Sequence, residues 1–142
     1  MKRFLTLGTI VILSVMFWNC KSDQKTIDSQ MDTVIAVHDE LMPKMTQIGV
    51  LRQKLLDAIP DSLVTQEQQK VMLDLKESNA SMMQWMKDFG ADFDFEEIAQ
   101  GKPLSKEKMD LLDKYQASVN ALKEQMLSSL QNGQQVFDDL KQ

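Results

Sequence analysis

The residues with the most chemical potential in this sequence are one histidine and the methionines around it. His38, Met42 and Met45 stand at i, i+4 and i+7, so on a helix an imidazole and two thioethers share a face. Soft thioether ligands beside an imidazole suit Cu(I), and an antiparallel second helix would bring Met82 or Met86 to the same place. The plainer expectation is that these methionines fill gaps in a core. In that case His38 packs on the seam with its polar nitrogen bonded to Asp39, Glu40 or a neighbouring helix.

Other chemistry finds little support. His38 is the only histidine, so an HExxH zinc site is excluded, and the single cysteine excludes CxxCH haem attachment. Asp92, Asp94, Glu96 and Glu97 alternate like the oxygens of a calcium loop. However, the sixth position is Glu97 where glycine is needed, and the twelfth is Pro103 where glutamate is needed. The expectation is a solvated acidic connector, with Phe93 and Phe95 covering the end of a bundle. No G-x-S-x-G, P-loop or dinucleotide-binding glycine set occurs, and five glycines leave little room for such loops. No catalytic residue and no cofactor are expected, with copper as the alternative.

The elements that would position these residues are helical. The chain has 142 residues with 43% hydrophobic and 26% charged, enough for one domain with a core, while 6% aromatics and three prolines poorly supply an all-β sandwich. From Ile27 the seam Met31, Val34, His38, Leu41, Met45, Ile48, Arg52, Leu55 and Ile59 keeps alternating steps of three and four. It holds its phase through Pro43, which predicts one kinked helix rather than two. Pro60 stops it. A second helix starts at Thr65, with Gln68 at capping-box spacing, and its face is Val71, Met72, Leu75, Met82, Trp85, Met86 and Phe89. Gly90 is its expected stop. Asp94 and Glu97 mark a short connector helix ending at Gly101. Ser105 then caps a third long helix with Leu112, Tyr115, Val119, Leu122, Met126 and Leu130 inward, and Gly133 is its expected bend or end. The predicted fold is all-α, an antiparallel three-helix bundle with a kinked first helix and a short acidic connector helix.

Lys2 and Arg3 precede fifteen uncharged residues from Phe4 to Trp18, the form of an export signal and short for a membrane span. Cys20 ends that run and Lys21-Ser22-Asp23-Gln24-Lys25 follows. This resembles a bacterial lipoprotein signal. The resemblance implies cleavage before Cys20, a diacylglyceryl thioether on its sulfur and an acyl chain such as palmitate on its new amino group. The alternatives are an uncleaved anchor and an ordinary signal peptide leaving a free thiol. The expected organisation is a signal peptide at 1–19, a lipidated cysteine and extended tether at 20–26, and a bundle at 27–142. A tether from Lys21 to Thr26 spans at most ~20 Å, which would keep any partner near the membrane.

The segments Val37-His38-Asp39-Glu40-Leu41-Met42-Pro43-Lys44-Met45 and Trp85-Met86-Lys87-Asp88-Phe89 resemble small helical lipoproteins of Bacteroidota-type bacteria. Some of those carry the label "viral A-type inclusion protein", and the resemblance implies location without mechanism. Removal of residues 1–19 leaves 14 basic and 21 acidic side chains, a net charge of −7, so nucleic acid is not an expected partner. The expected protein is exported, anchored by lipid to the cell membrane or outer membrane, and serves as a non-catalytic structural or interaction module with an envelope protein partner. The alternative is an envelope copper-handling protein using His38, Met42 and Met45.

Overall fold

The computed structural model describes the backbone of residues 20–141 and the side chains from Lys25 onward, apart from Asp61. The expected signal peptide at 1–19 and the side chain of Cys20, on which the expected lipidation falls, lie outside the described residues. The elements are α1 (Cys20–Ala58), a 3-10 turn (Asp61–Leu63), α2 (Gln66–Asp92), the five-residue α3 (Phe95–Ala99) and α4 (Lys106–Asp139). The protein is an all-α bundle in which α1, α2 and α4 pack on one another.

Side-chain bonds fix the helix directions. Gln30 donates to Asp113, and Lys123 to Glu40, each pair 83 residues apart in sequence, so α1 and α4 run parallel and in register. Ser78 meets Ser129 and Trp85 meets Ser118, so α2 runs antiparallel to α4. The arrangement is up, down, up.

Helix α1 passes through Pro43 without a break in its assignment, as the unbroken seam requires. Met31, Val34, Leu41, Ile48, Leu55 and Ile59 of that seam are buried, with Ile27 and Met45 packed beside them. The segment 20–26, expected as an extended tether, forms the first turns of α1. A helix rises 1.5 Å per residue, so the 39 residues of α1 span about 58 Å from Cys20.

The caps follow the sequence closely. Thr65 accepts from the Gln68 amide while the Gln68 side chain accepts from the Thr65 amide, and Asp94 and Glu97 form the same reciprocal box. Ser105 accepts from the Lys108 amide. These bonds satisfy donors that each helix start leaves without an intrahelical partner.

Both glycine stops need correction. Gly90 does not end α2, which continues to Asp92 because Phe89 and Phe93 are held in the core against Tyr115. Gly133 does not end α4, which runs on to Asp139. It is buried mid-helix, and a Cβ there would lie 2.9 Å from Leu51 Cδ2 and 3.0 Å from Leu75 Cδ1. The missing side chain lets leucines of α1 and α2 meet against α4.

Gly133→Leu is therefore expected to destabilise the bundle by about 1–3 kcal/mol through overpacking. Gly133→Ala should be much milder, because the gain of ~1 kcal/mol in helix propensity offsets displacement of two flexible leucine ends. Urea midpoints of the two variants check the order.

Candidate functional site

Three places on the bundle gather polar or apolar groups that could do more than pack: the surroundings of His38, the connector α3, and a groove between α1 and α4.

Around His38, the fold joins residues far apart in sequence. The imidazole stacks on Trp85 at 6.0 Å between ring centroids and 23° between planes. Trp85 in turn stacks on Phe89 at 4.8 Å and meets Tyr115 edge-on at 5.7 Å. Trp85 Nε1 donates to Ser118 Oγ at 3.0 Å, which satisfies the one polar atom of an otherwise buried indole. The Tyr115 hydroxyl donates to Asp92 at 2.6 Å. Burial first, and the Asp92 carboxylate second, push that phenol well above its ordinary pKa and keep it protonated.

His38 Nδ1 is 2.9 Å from Asp39 Oδ1, the neighbour expected from sequence. An ionised carboxylate only accepts, so Nδ1 carries the proton and Nε2 presents a lone pair in the neutral ring. The two thioethers differ in setting: Met42 is 39% exposed, whereas Met45 packs against the core. Met82 is fully buried and Met86 partly so. Among the described residues no three His, Cys, Asp or Glu side chains gather as a metal site would require, so any metal near His38 would depend on thioethers.

The connector departs from expectation. Phe93 is buried at the bundle end, but Phe95 is 71% exposed and covers nothing. The acids are ion-paired rather than simply solvated. Lys102 bonds Asp94 at 2.9 Å and Glu96 at 3.0 Å, while Lys108 reaches the buried Glu97 at 2.6 Å. Gly101 supplies the turn with φ +67, a left-handed conformation that other residues rarely adopt.

The lysine contacts set the pH response of this end. The Lys108 hydrogen bond, helped by the Asp94 amide, holds Glu97 below its ordinary pKa, and Lys102 does the same for Asp94. A carboxyl depressed in the folded state contributes stability that is fully present above its unfolded pKa and is lost as pH falls through the folded value. Acid unfolding should therefore draw on this connector as the pH falls through and below the ordinary carboxylate range. Glu97→Gln is expected to lower stability at pH 7 and to flatten that acid limb, read by circular dichroism across a pH series.

The third place is a groove of about 500 Å³ between the parallel helices α1 and α4. Val50, Leu51, Leu127 and Leu130 give it apolar walls, Lys44 and Lys54 lie along its α1 side, and glutamines complete the rim. Val50 is 50% exposed although it is aliphatic. Neither lysine enters an ion pair among the described residues, although Lys54 Nζ lies 5.8 Å over the Phe137 ring. No acid lines the groove, on a chain whose overall charge is negative.

Sequence reading anticipated His38 and the aromatic face but not the buried Ser78 and Ser129. Their hydroxyl oxygens lie 2.9 Å apart, with the Leu75 and Met126 carbonyls also in reach, so one hydroxyl donates to the other and the second donates to its own carbonyl, and the pair is satisfied at the α2–α4 contact. Asn79, which interrupts the apolar face of α2, donates to the Met45 carbonyl.

No family model matches this sequence, and no curated protein or solved structure matches it either.

Proposed function

We propose that this protein is an envelope lipoprotein, tethered to a membrane through Cys20, whose bundle holds a partner protein without catalysing a reaction. The observation that supports the interaction role is the α1–α4 groove, which combines an apolar floor with two cations and no anion. Lys44 and Lys54 are ten residues apart, about 15 Å along the helix. That pattern fits an acidic amphipathic helix. Apolar residues of the partner at i, i+3, i+4 and i+7 would fill the floor, and carboxylates about three turns apart would meet the lysines. Apolar burial supplies most of the affinity, and the charges set the register and exclude basic segments.

A photoreactive amino acid at Val50 in the full chain, in its native cells, tests this. The expected result is an adduct with one envelope protein through an acidic helical segment, lost when Lys44→Glu and Lys54→Glu are combined. Absence of an adduct, or an adduct indifferent to the charge reversal, would contradict the reading.

A second reading has its own support. Asp39 orients His38 and leaves Nε2 as the open nitrogen, as carboxylates do for metal-bound histidines, with the exposed Met42 one turn away. On that reading the protein binds Cu(I) through His38, Met42 and Met45. An anaerobic competition titration should then give stoichiometric binding that His38→Ala and Met42→Ala abolish. Binding unchanged by both variants removes the copper reading and leaves these residues to packing.

A further inference from the structure

The register of the helices places the connector at the same end of the bundle as Cys20. Gln30 of α1 lies against Asp113 and Gln116 of α4. A Cβ on Gly101 would lie 3.9 Å from the carboxylate oxygens of Asp28. Asp28 is eight residues into α1, about 12 Å along the axis from Cys20. The apolar run Phe4–Trp18 directly precedes this helix. Whether that run is removed to leave an acylated Cys20 or stays as an anchor, the membrane attachment falls at this end. The opposite end carries the turn Asp61–Leu63, beyond the full length of α1.

We propose that the α2–α4 connector is the membrane-facing end of the bundle and that Phe95 enters the bilayer interface there. This rests on the membrane attachment given above. An aromatic ring 71% exposed at the start of α3 loses its contact with water by entering the interface, as the apolar groups of membrane-surface helices do. Acidic neighbours would ordinarily oppose such an approach. Here Asp94, Glu96 and Glu97 are paired with Lys102 and Lys108, and the exposed Lys25 and Lys106 lie at the same end beside the exposed Glu107. The helical start of α1 replaces a slack tether with a stiff post, so the bundle stands on this end. The α1–α4 groove, from Lys44 to Lys54, is then carried about 36 to 51 Å along α1 from Cys20. A partner would be met well above the membrane, farther than the ~20 Å that an extended tether would allow.

The test places benzoylphenylalanine at position 95 or at position 63 of the full chain, expressed in its native cells and irradiated in intact membranes. Leu63 is a matched control because it is also 71% exposed. The expected result is phospholipid adducts from position 95 and none above background from position 63. Equal lipid adducts from both, or adducts from position 95 only to protein, would overturn the orientation. Membrane-bound protein without lipid adducts at position 95 would overturn it while leaving the anchoring intact. Recovery of the chain in the soluble fraction with Cys20 unmodified would overturn the anchoring and the orientation with it.

Discussion

Trp85→Ala is expected to destabilise the bundle by about 3–5 kcal/mol, the range for removing a large aromatic from a packed core. The indole is the junction of the aromatic cluster: it stacks on His38 of α1 and Phe89 of α2 and meets the edge of Tyr115 of α4. Alanine would leave a cavity between three helices and remove the hydrogen bond that α2 donates to Ser118. A small domain has ~5–15 kcal/mol of stability in all, so this loss is a large fraction of the total. Urea unfolding followed by circular dichroism measures this directly. Trp85→Phe separates the contributions, because it keeps a stacked ring but loses the hydrogen bond, at about 1 kcal/mol. A Trp85→Ala variant with unchanged midpoint would mean that the cluster does not hold the three helices together.

The opposite sign is expected at Pro43. It lies inside α1, where it has no N–H to give the Asp39 carbonyl and its ring collides with that turn. Proline in a helix interior costs ~3 kcal/mol relative to alanine. Pro43→Ala should raise stability by up to that amount, because the side chain is exposed and its loss removes little burial. The same urea series reads the gain. No gain, or a loss, would show that the bundle is packed around a bend at Pro43, and that straightening α1 strains its contacts with α4.

These two residues illustrate why most of the fold was legible. The seam of α1 keeps its spacing across Pro43, and periodicity over ten positions outweighs one unfavourable residue. Capping pairs were equally plain, since Thr65 with Gln68 and Asp94 with Glu97 act through local bonds that spacing alone specifies. Polar residues on the seam were harder. The expected seam of α4 runs from Met126 to Leu130 with Gly133 as a bend or end, whereas the buried positions after Met126 are Ser129 and Gly133. Burial of both is decided by the opposing helix, which supplies Ser78 as a bonding partner and two leucines as a lid.

The connector was misread for a related reason. Lys102 and Lys108 lie eight and eleven residues from the acids they neutralise, on backbone whose course the spacing does not give. Phe95 is expected from its hydrophobicity to cover the bundle end with Phe93, but capping by Asp94 fixes where α3 begins, and the first helical residue then faces water. The groove between α1 and α4 was invisible because it exists only once two helices 83 residues apart are set side by side. His38 is the intermediate case. Its Asp39 bond is local and was foreseen, while its stack on Trp85 needed the tertiary fold.

The function proposed for this bundle begins at Cys20, whose lipidation would set both the membrane attachment and the direction in which the groove is held. The most direct measurement is the intact mass of the protein extracted from the membrane fraction of its own cells. The expected species starts at Cys20, lacks residues 1–19 and carries the added mass of a diacylglyceryl group with an acyl chain on the amino terminus. A chain recovered from the soluble fraction with a free Cys20 thiol would contradict a membrane-held interaction module.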